Sequence, residues 1–399
     1  MRISKMQKSR LKVARTLRFG FWLLGFGLLL SVTACNTLPV GYDQVRDRVT
    51  GTADTTLLLD TAASYSRYAP LGGSSLLYLG KDASYVSQIV LRFSILDTMS
   101  LDSITSFQLV LHQPDTLRTM SFVCRPCSSA WTESGVSWQM ADSFDHWLTP
   151  GGDFLPEILA TGTMAGDSAM FDFRYVEFDS ALRAAIRNYG VGIFPQDTGI
   201  VAIHAGTSSN TAKAPRLRVT YTVKGKKTTR VINDAADASL IDTVATNSQP
   251  YDLLVGSGVA FRTWLAFNID SIPPEATIAK ADLRFKPGTK YRRTDTLVLG
   301  ASRLTESFIQ KGATARYESP PSAYARYIVP ADSDTAVSID IRSMVQLWTS
   351  RSDTTPNHGL LITASPEWSA LFRFRIPRSG PDAPRLDIQY VLPPEDRFR

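Results

Sequence analysis

Histidine and cysteine are scarce. The 399 residues hold four His and three Cys. None of His112, His146, His204 and His358 stands at metal-ligand spacing from another, and His112 does not complete a zinc set with Cys124 and Cys127. Also missing are a Gly-x-Ser-x-Gly elbow, a phosphate-cradling Gly-rich loop and a His-Glu-x-x-His pair. Gly256-Ser257-Gly258 reads as a hairpin turn. Thirty-seven acids offer many carboxylate pairs, but no acid–base constellation stands out. These absences give the expectation of a non-catalytic chain without cofactor or metal.

Long apolar runs are few. The run from Phe19 to Leu30 is too short for a stable membrane span. It follows seven basic residues (Arg2 to Arg18) with no acid, and ends in Val32-Thr33-Ala34-Cys35. A basic segment, a short apolar core and small residues before a cut make an export signal over residues 1–34. Its ending resembles the bacterial lipobox. The resemblance implies that Cys35 is acylated, becomes the first mature residue and ties the chain to a membrane. Asn36, standing where Asp would retain the protein at the inner membrane, implies an outer-membrane destination.

An excess of positive charge is missing too, once that leader is set aside. Without its seven, the 43 basic residues become 36 against 37 acids, so no nucleic-acid partner is expected. Lys224, Lys226, Lys227 and Arg230 are the dense basic cluster that remains, read as a solvated linker.

What the chain does have is a long repeat. Ala214-Pro215-Arg216-Leu217 with Val219 and Tyr221 recurs as Ala383-Pro384-Arg385-Leu386 with Ile388 and Tyr390. Asn188-Tyr189-Gly190 precedes the first Pro by the spacing at which Asn357-His358-Gly359 precedes the second. Phe93 and Ile104 match Phe267 and Ile278, and Trp131-Thr132-Glu133 matches Leu304-Thr305-Glu306. The offset drifts only from 174 residues to 169, too long for a solenoid unit.

Short runs rich in Val, Ile, Thr, Tyr and Phe, broken by Gly, Pro, Asp and Ser, predict antiparallel strands in both copies. One helix is expected before each Asn-x-Gly. Asp179 or Ser180 caps the first, and Asp340 caps the second, with Ile341, Met344, Val345 and Trp348 inward. The expectation is therefore all-β: two tandem jelly-roll-like antiparallel β-sandwiches after a lipoprotein signal peptide. The expected boundaries are a tether at 35–54, domains at 55–223 and 229–392 joined by a linker at 224–228, and a tail at 393–399.

The order of these motifs is similar to that of DNRLRE-type domains, a group overlapping the family 96 carbohydrate-binding modules. The motifs are a Phe-ending strand, Trp131-Thr132-Glu133 with Val136-Ser137-Trp138, a late helix, Asn-x-Gly and a closing Pro-Arg-Leu strand. The resemblance implies jelly-roll sandwiches on exported bacterial proteins, usually non-catalytic and sometimes binding acidic polysaccharide. Departures are Leu304 in place of the Trp, and Ala184-Ala185-Ile186 where the first helix lacks one.

Two local features remain. Cys124-Arg125-Pro126-Cys127, in an exported chain, reads first as a disulfide, with free thiols, a redox pair and a zinc site as alternatives. For glycan contact, Tyr65, Arg67, Tyr68 and Trp147 are the candidates in the first copy, read as loop residues, and Trp368 in the second. The asymmetry favours an anionic polysaccharide on the first copy. The competing expectation is a structural or adhesive envelope protein that binds protein partners. Asp142, Asp145 and His146 form a polar loop, read as solvated in preference to cation-binding.

Overall fold

A computed structural model describes residues 52–94, 103–114, 118–173, 179–244, 253–288, 290–294, 296–328, 336–351 and 354–393. The leader, Cys35 and residues 394–399 of the tail lie outside these residues. Sheets, clusters and cleft belong to one compact unit, Asp54–Pro274 with Ile278–Gln389. The other described residues, 52–53, 275–277 and 390–393, fall in a second unit.

In chain order the first half gives β1 (Thr52–Leu58), β2 (Thr61–Tyr68), β3 (Leu76–Lys81), β4 (Tyr85–Phe93), β5 (Ile104–His112), β6 (Met120–Pro126), β7 (Ala160–Met164), β8 (Ser168–Phe173), α1 (Ser180–Tyr189), β9 (Val191–Pro195), β10 (Gly199–His204) and β11 (Arg216–Val223). The second gives β12 (Lys226–Thr243), β13 (Leu253–Ser257), β14 (Val259–Ala266), β15 (Thr277–Phe285), β16 (Lys290–Arg292), β17 (Thr296–Arg303), α2 (Phe308–Lys311), β18 (Ala323–Ile328), β19 (Val337–Asp340), α3 (Arg342–Thr349), β20 (Leu360–Ala364), β21 (Phe372–Ile376) and β22 (Arg385–Val391). The chain is all-β, with jelly-roll-like antiparallel sandwiches.

Period-two patterning makes these strands. Tyr85, Ile89, Leu91 and Phe93 of β4 are buried, as are Phe107, Leu109 and Leu111 of β5 and Leu217 and Val219 of β11. All but Tyr85 meet Met120, Phe122, Ile193 and Ile203 in one core. Each such side chain contributes about 1.5–3 kcal/mol by leaving water. The helices stand where the sequence places them. Asp179 caps the first, accepting the Leu182 N–H at 2.8 Å. The N-cap of the second is Ile341, one residue past the expected Asp340, whose carboxylate accepts the Arg342 N–H at 2.9 Å. Ile341, Met344, Val345 and Trp348 are all buried.

The strands do not respect the expected boundary. The sheet order β7-β6-β9-β4-β12-β11-β5-β8 puts β12, from the second repeat, beside β4 and β11 of the first. Reciprocally, β2 from the first repeat pairs antiparallel with β14, from Tyr68 opposite Val259 to Thr61 opposite Ala266, and β1 lies beside β22. Each half is thus completed by the leading strands of the other. The expected linker is corrected accordingly. Lys224 and Gly225, with φ of 49° and 74°, are the two central residues of a hairpin that sets Val223 opposite Lys226. Two successive positive φ values twist the turn to match its strands, as in type I′ hairpins. The basic cluster around it is solvent-exposed, as expected.

Both halves also share apolar packing. Tyr78, Tyr85, Ile200 and Ile241 form one buried cluster with Val259, Phe261 and Leu371. Tyr68 of β2 donates its hydroxyl hydrogen to Asp242 of β12 at 2.6 Å, joining the two exchanged strands.

Candidate functional site

The glycan-contact residues expected from sequence are not brought together. Tyr65, Arg67 and Tyr68 lie on β2, not on a loop, because their backbone completes the ladder with β14. Arg67 is exposed. Tyr65 is half-buried against Phe308, ring centroids 6.1 Å apart. Burial raises its pKa, and Arg262 partly offsets the rise. Burial, then the Asp242 hydrogen bond, raises that of Tyr68. Trp147 is a correction. Only 5% exposed, it lies in the core with Trp131 and Val136. Its indole N–H donates to the Ser137 carbonyl at 2.9 Å, so its ring face is not available for stacking. Trp368 is 41% exposed.

The cysteine expectation is corrected as well. Cys124 and Cys127 are free and buried. Side chains along an extended chain alternate, so residues three apart face opposite sides. Cys124 enters the core of Phe122 and Ile193, whereas Cys127 enters that of Trp131 and Val136. Burial pushes the Cys124 thiol up to about 12 and raises Cys127 too, which removes the thiolate that redox chemistry needs. At the polar loop, Asp142 accepts the N–H groups of Phe144 and Asp145 at 2.7 and 2.8 Å. Those two bonds hold its carboxyl below the usual range. Among the described residues no group of three His, Cys, Asp or Glu is arranged for a metal, and no helix is long and apolar enough to cross a membrane.

The structure adds a cleft of about 580 Å³ that sequence reasoning missed. Five short stretches converge on it: the β1–β2 turn at Asp60, the exit of β14 at Phe267–Asp270, the start of α2, the end of α3 and the segment before β20. Buried Trp264 stacks on half-buried Phe308 with centroids 4.7 Å apart and planes 14° apart, backing that ring in an aromatic wall. Asp60, Asn268, Asp270 and Asn357 supply exposed polar groups. The Asn-x-Gly motif builds one side. Asn357 donates to the Phe267 carbonyl at 2.9 Å and accepts the Gly359 N–H at 3.0 Å. Gly359 has φ 81°, and a Cβ there would meet the Leu265 carbonyl oxygen at 2.5 Å. The motif thereby presents the His358 carbonyl, which accepts the Trp264 N–H at 2.8 Å.

Arg351 closes the lip. Its guanidinium donates to the Asp270 and Ile272 carbonyls at 2.9 and 3.3 Å. Trp348, 2% exposed, lines the cleft, and its indole N–H has no acceptor among the described residues. Beside the aromatic wall, Arg262 holds Glu367 through two 2.7 Å bonds and donates to Tyr317 at 2.9 Å. With all its partners within the protein, that network serves to rigidify.

A buried acid also escaped sequence reasoning. Asp237 is wholly buried on β12 and accepts the Gly206 N–H. Burial, then a hydrogen bond with Asp234, raises its pKa well above the carboxylate range. Asp234 borders a register shift in β12, and no sequence periodicity marks such a bulge.

Compared with known proteins, the chain matches no family model and no curated protein. The likeness to DNRLRE-type domains therefore rests on the short motifs themselves.

Proposed function

We propose that the chain is a lipid-anchored, non-catalytic cell-envelope protein that binds polysaccharide in the cleft between β14, α2 and α3. One observation carries this reading. The half-buried Phe308 ring, backed by buried Trp264, borders an open cleft whose polar groups include carboxylates, amides and an Arg. Pyranose rings stack on aromatic carbon while their hydroxyls bond to such groups. Open sites with few such contacts bind in roughly the micromolar-to-millimolar range. The basic leader and the lipobox-like Val32-Thr33-Ala34-Cys35 support acylation at Cys35, with Asn36 favouring the outer membrane.

Calorimetry of the full chain in detergent against a glycan panel tests the site. Phe308→Ala should weaken binding about tenfold, and unchanged affinity would remove the cleft from the reading. Metabolic labelling with an alkyne fatty acid tests the anchor: Cys35→Ser should abolish label.

A second reading, an adhesive envelope protein docking a protein partner, is favoured by Phe144 and Leu148, which are 89% and 93% exposed on one loop. Absence of glycan binding, with partner binding lost in Phe144→Ser/Leu148→Ser, would select it.

A further inference from the structure

We infer that the cleft is built for an amine-bearing glycan, one whose sugars carry free ammonium groups. This deepens the polysaccharide reading and rests on it. The cleft's charges run against the acidic polysaccharide that the sequence resemblance implies. Asp60 and Asp270 line it and are exposed, and neither is held in an ion pair among the described residues. Its lining Arg, Arg351, already directs its guanidinium to two backbone carbonyls. The remaining polar groups are amides, the hydroxyls of Thr61 and Ser307, and His358.

A ligand there meets two carboxylates without committed partners beside an aromatic wall. Carboxylates and ring faces both attract an ammonium group. A uronate carboxylate would instead face like charge. The third element is the Trp348 indole, buried and lining the cleft, whose N–H finds no acceptor among the described residues. A buried donor without an acceptor is costly, and with its nitrogen out of solvent's reach a sugar oxygen satisfies it only when the ring turns toward the cleft. An amino sugar combines all three features: a ring to stack, oxygens to accept and a cation for the acids. A plain amine lacks the first two, and a neutral hexose lacks the third.

The test is calorimetry of the full chain in detergent with glucosamine oligosaccharides, their N-acetylated counterparts, glucose oligosaccharides and alginate oligosaccharides. The free-amine series should bind about tenfold or more tighter than the N-acetylated one at low salt, and the gap should narrow as salt is added. Asp60→Asn/Asp270→Asn should remove that preference, bringing the free-amine series to the affinity of the N-acetylated one. Equal affinity for amine and N-acetyl series, or tighter binding of alginate, would overturn the amine assignment and leave the glycan reading standing. Failure of every glycan to bind would overturn both. If Asp60→Asn/Asp270→Asn lowers thermal stability, the N-acetylated comparison on the unaltered chain still decides.

Discussion

The two halves of the repeat meet the same structural needs with different residues. In the first, Trp131 donates its indole N–H to the Tyr189 carbonyl at 2.8 Å. In the second, Leu304 stands at that position, and Trp264 from β14 donates to the matching carbonyl of His358 at 2.8 Å. Val90 is the first-half counterpart of Trp264 and packs in the Trp131 core, as Leu304 packs with Trp264. The large and small residues have traded places across the core while the acceptor stayed fixed. Asp60 and Asp234 likewise share a repeat position. Asp60 borders an open cleft, whereas Asp234 is tied to buried Asp237. Geometric roles are retained in both copies, and the residues filling them are free to move.

The largest test of the comparison is to cut the chain at the two candidate boundaries. Residues 44–223 lack β12, which leaves β4 and β11 without their partner. Residues 229–393 lack β1 and β2, which leaves β14 unpaired on one side. Neither fragment should show a cooperative urea transition, because unpaired backbone and uncovered apolar surface remain. Residues 69–244 keep β3 to β12 together and should unfold cooperatively. A sharp transition in 44–223, matching that of 69–244, would break the strand-exchange account.

Much of this was legible beforehand. Short apolar runs located β4, β5, β15 and β20, period-two alternation located β11, and the helix spacing of Ile341, Met344, Val345 and Trp348 located α3, because those patterns record burial. Which strand pairs with which is a long-range choice that periodicity does not encode, so β2 read as a loop and 224–228 as a linker. The cleft was invisible for the same reason: Asp60 and Trp348 are nearly three hundred residues apart in sequence. The paired cysteines misled because their spacing matches a turn, while the backbone there is extended and turns the thiols apart.

The traded indoles give the next test. Trp264→Val, giving β14 the first half's residue, should cost about 3–5 kcal/mol through the cavity and the lost hydrogen bond. Leu304→Trp alone should cost about 1–3 kcal/mol by overpacking. Together they recreate the Val90–Trp131 arrangement, and the pair should be clearly less destabilising than the sum. Chemical-denaturation double-mutant cycles measure this coupling. Strict additivity would mean that the two cores are not interchangeable.

Asp237 separates the halves by pH. It has no acidic counterpart in β2, where Ala63 stands at the matching sequence offset and Ala62 at the matching register. Its folded-state pKa lies above the ordinary value, chiefly through burial and then through Asp234. The folded chain keeps a proton that the unfolded chain releases near pH 4, so this contribution is complete below that pH and declines as pH rises. Asp237→Asn retains an acceptor for the Gly206 N–H and a donor toward Asp234. Urea midpoints should then fall less between about pH 5 and pH 8 than in the parent, with the variant more stable at the upper end. A parent and a variant with the same slope would show that Asp237 releases its proton in the fold.

The smallest effect is expected at the hairpin that replaced the linker. Lys224 holds φ 49° and Gly225 φ 74°, and a lysine side chain disfavours the left-handed region that Asn tolerates. Asn-Gly is the preferred pair for a type I′ turn. Lys224→Asn should therefore stabilise the chain by about 0.5–1 kcal/mol through relief of backbone strain. The substitution removes one exposed positive charge, so Lys226→Asn, two residues on within β12, serves as the charge control. It should be neutral or mildly destabilising, since Asn is a poor strand former. The measurement is the urea midpoint of each variant, read against the parent slope. In a flexible linker both substitutions would be indistinguishable from the parent, because neither residue would have a fixed φ. A gain confined to Lys224→Asn would tie the two halves through a folded turn and its ladder.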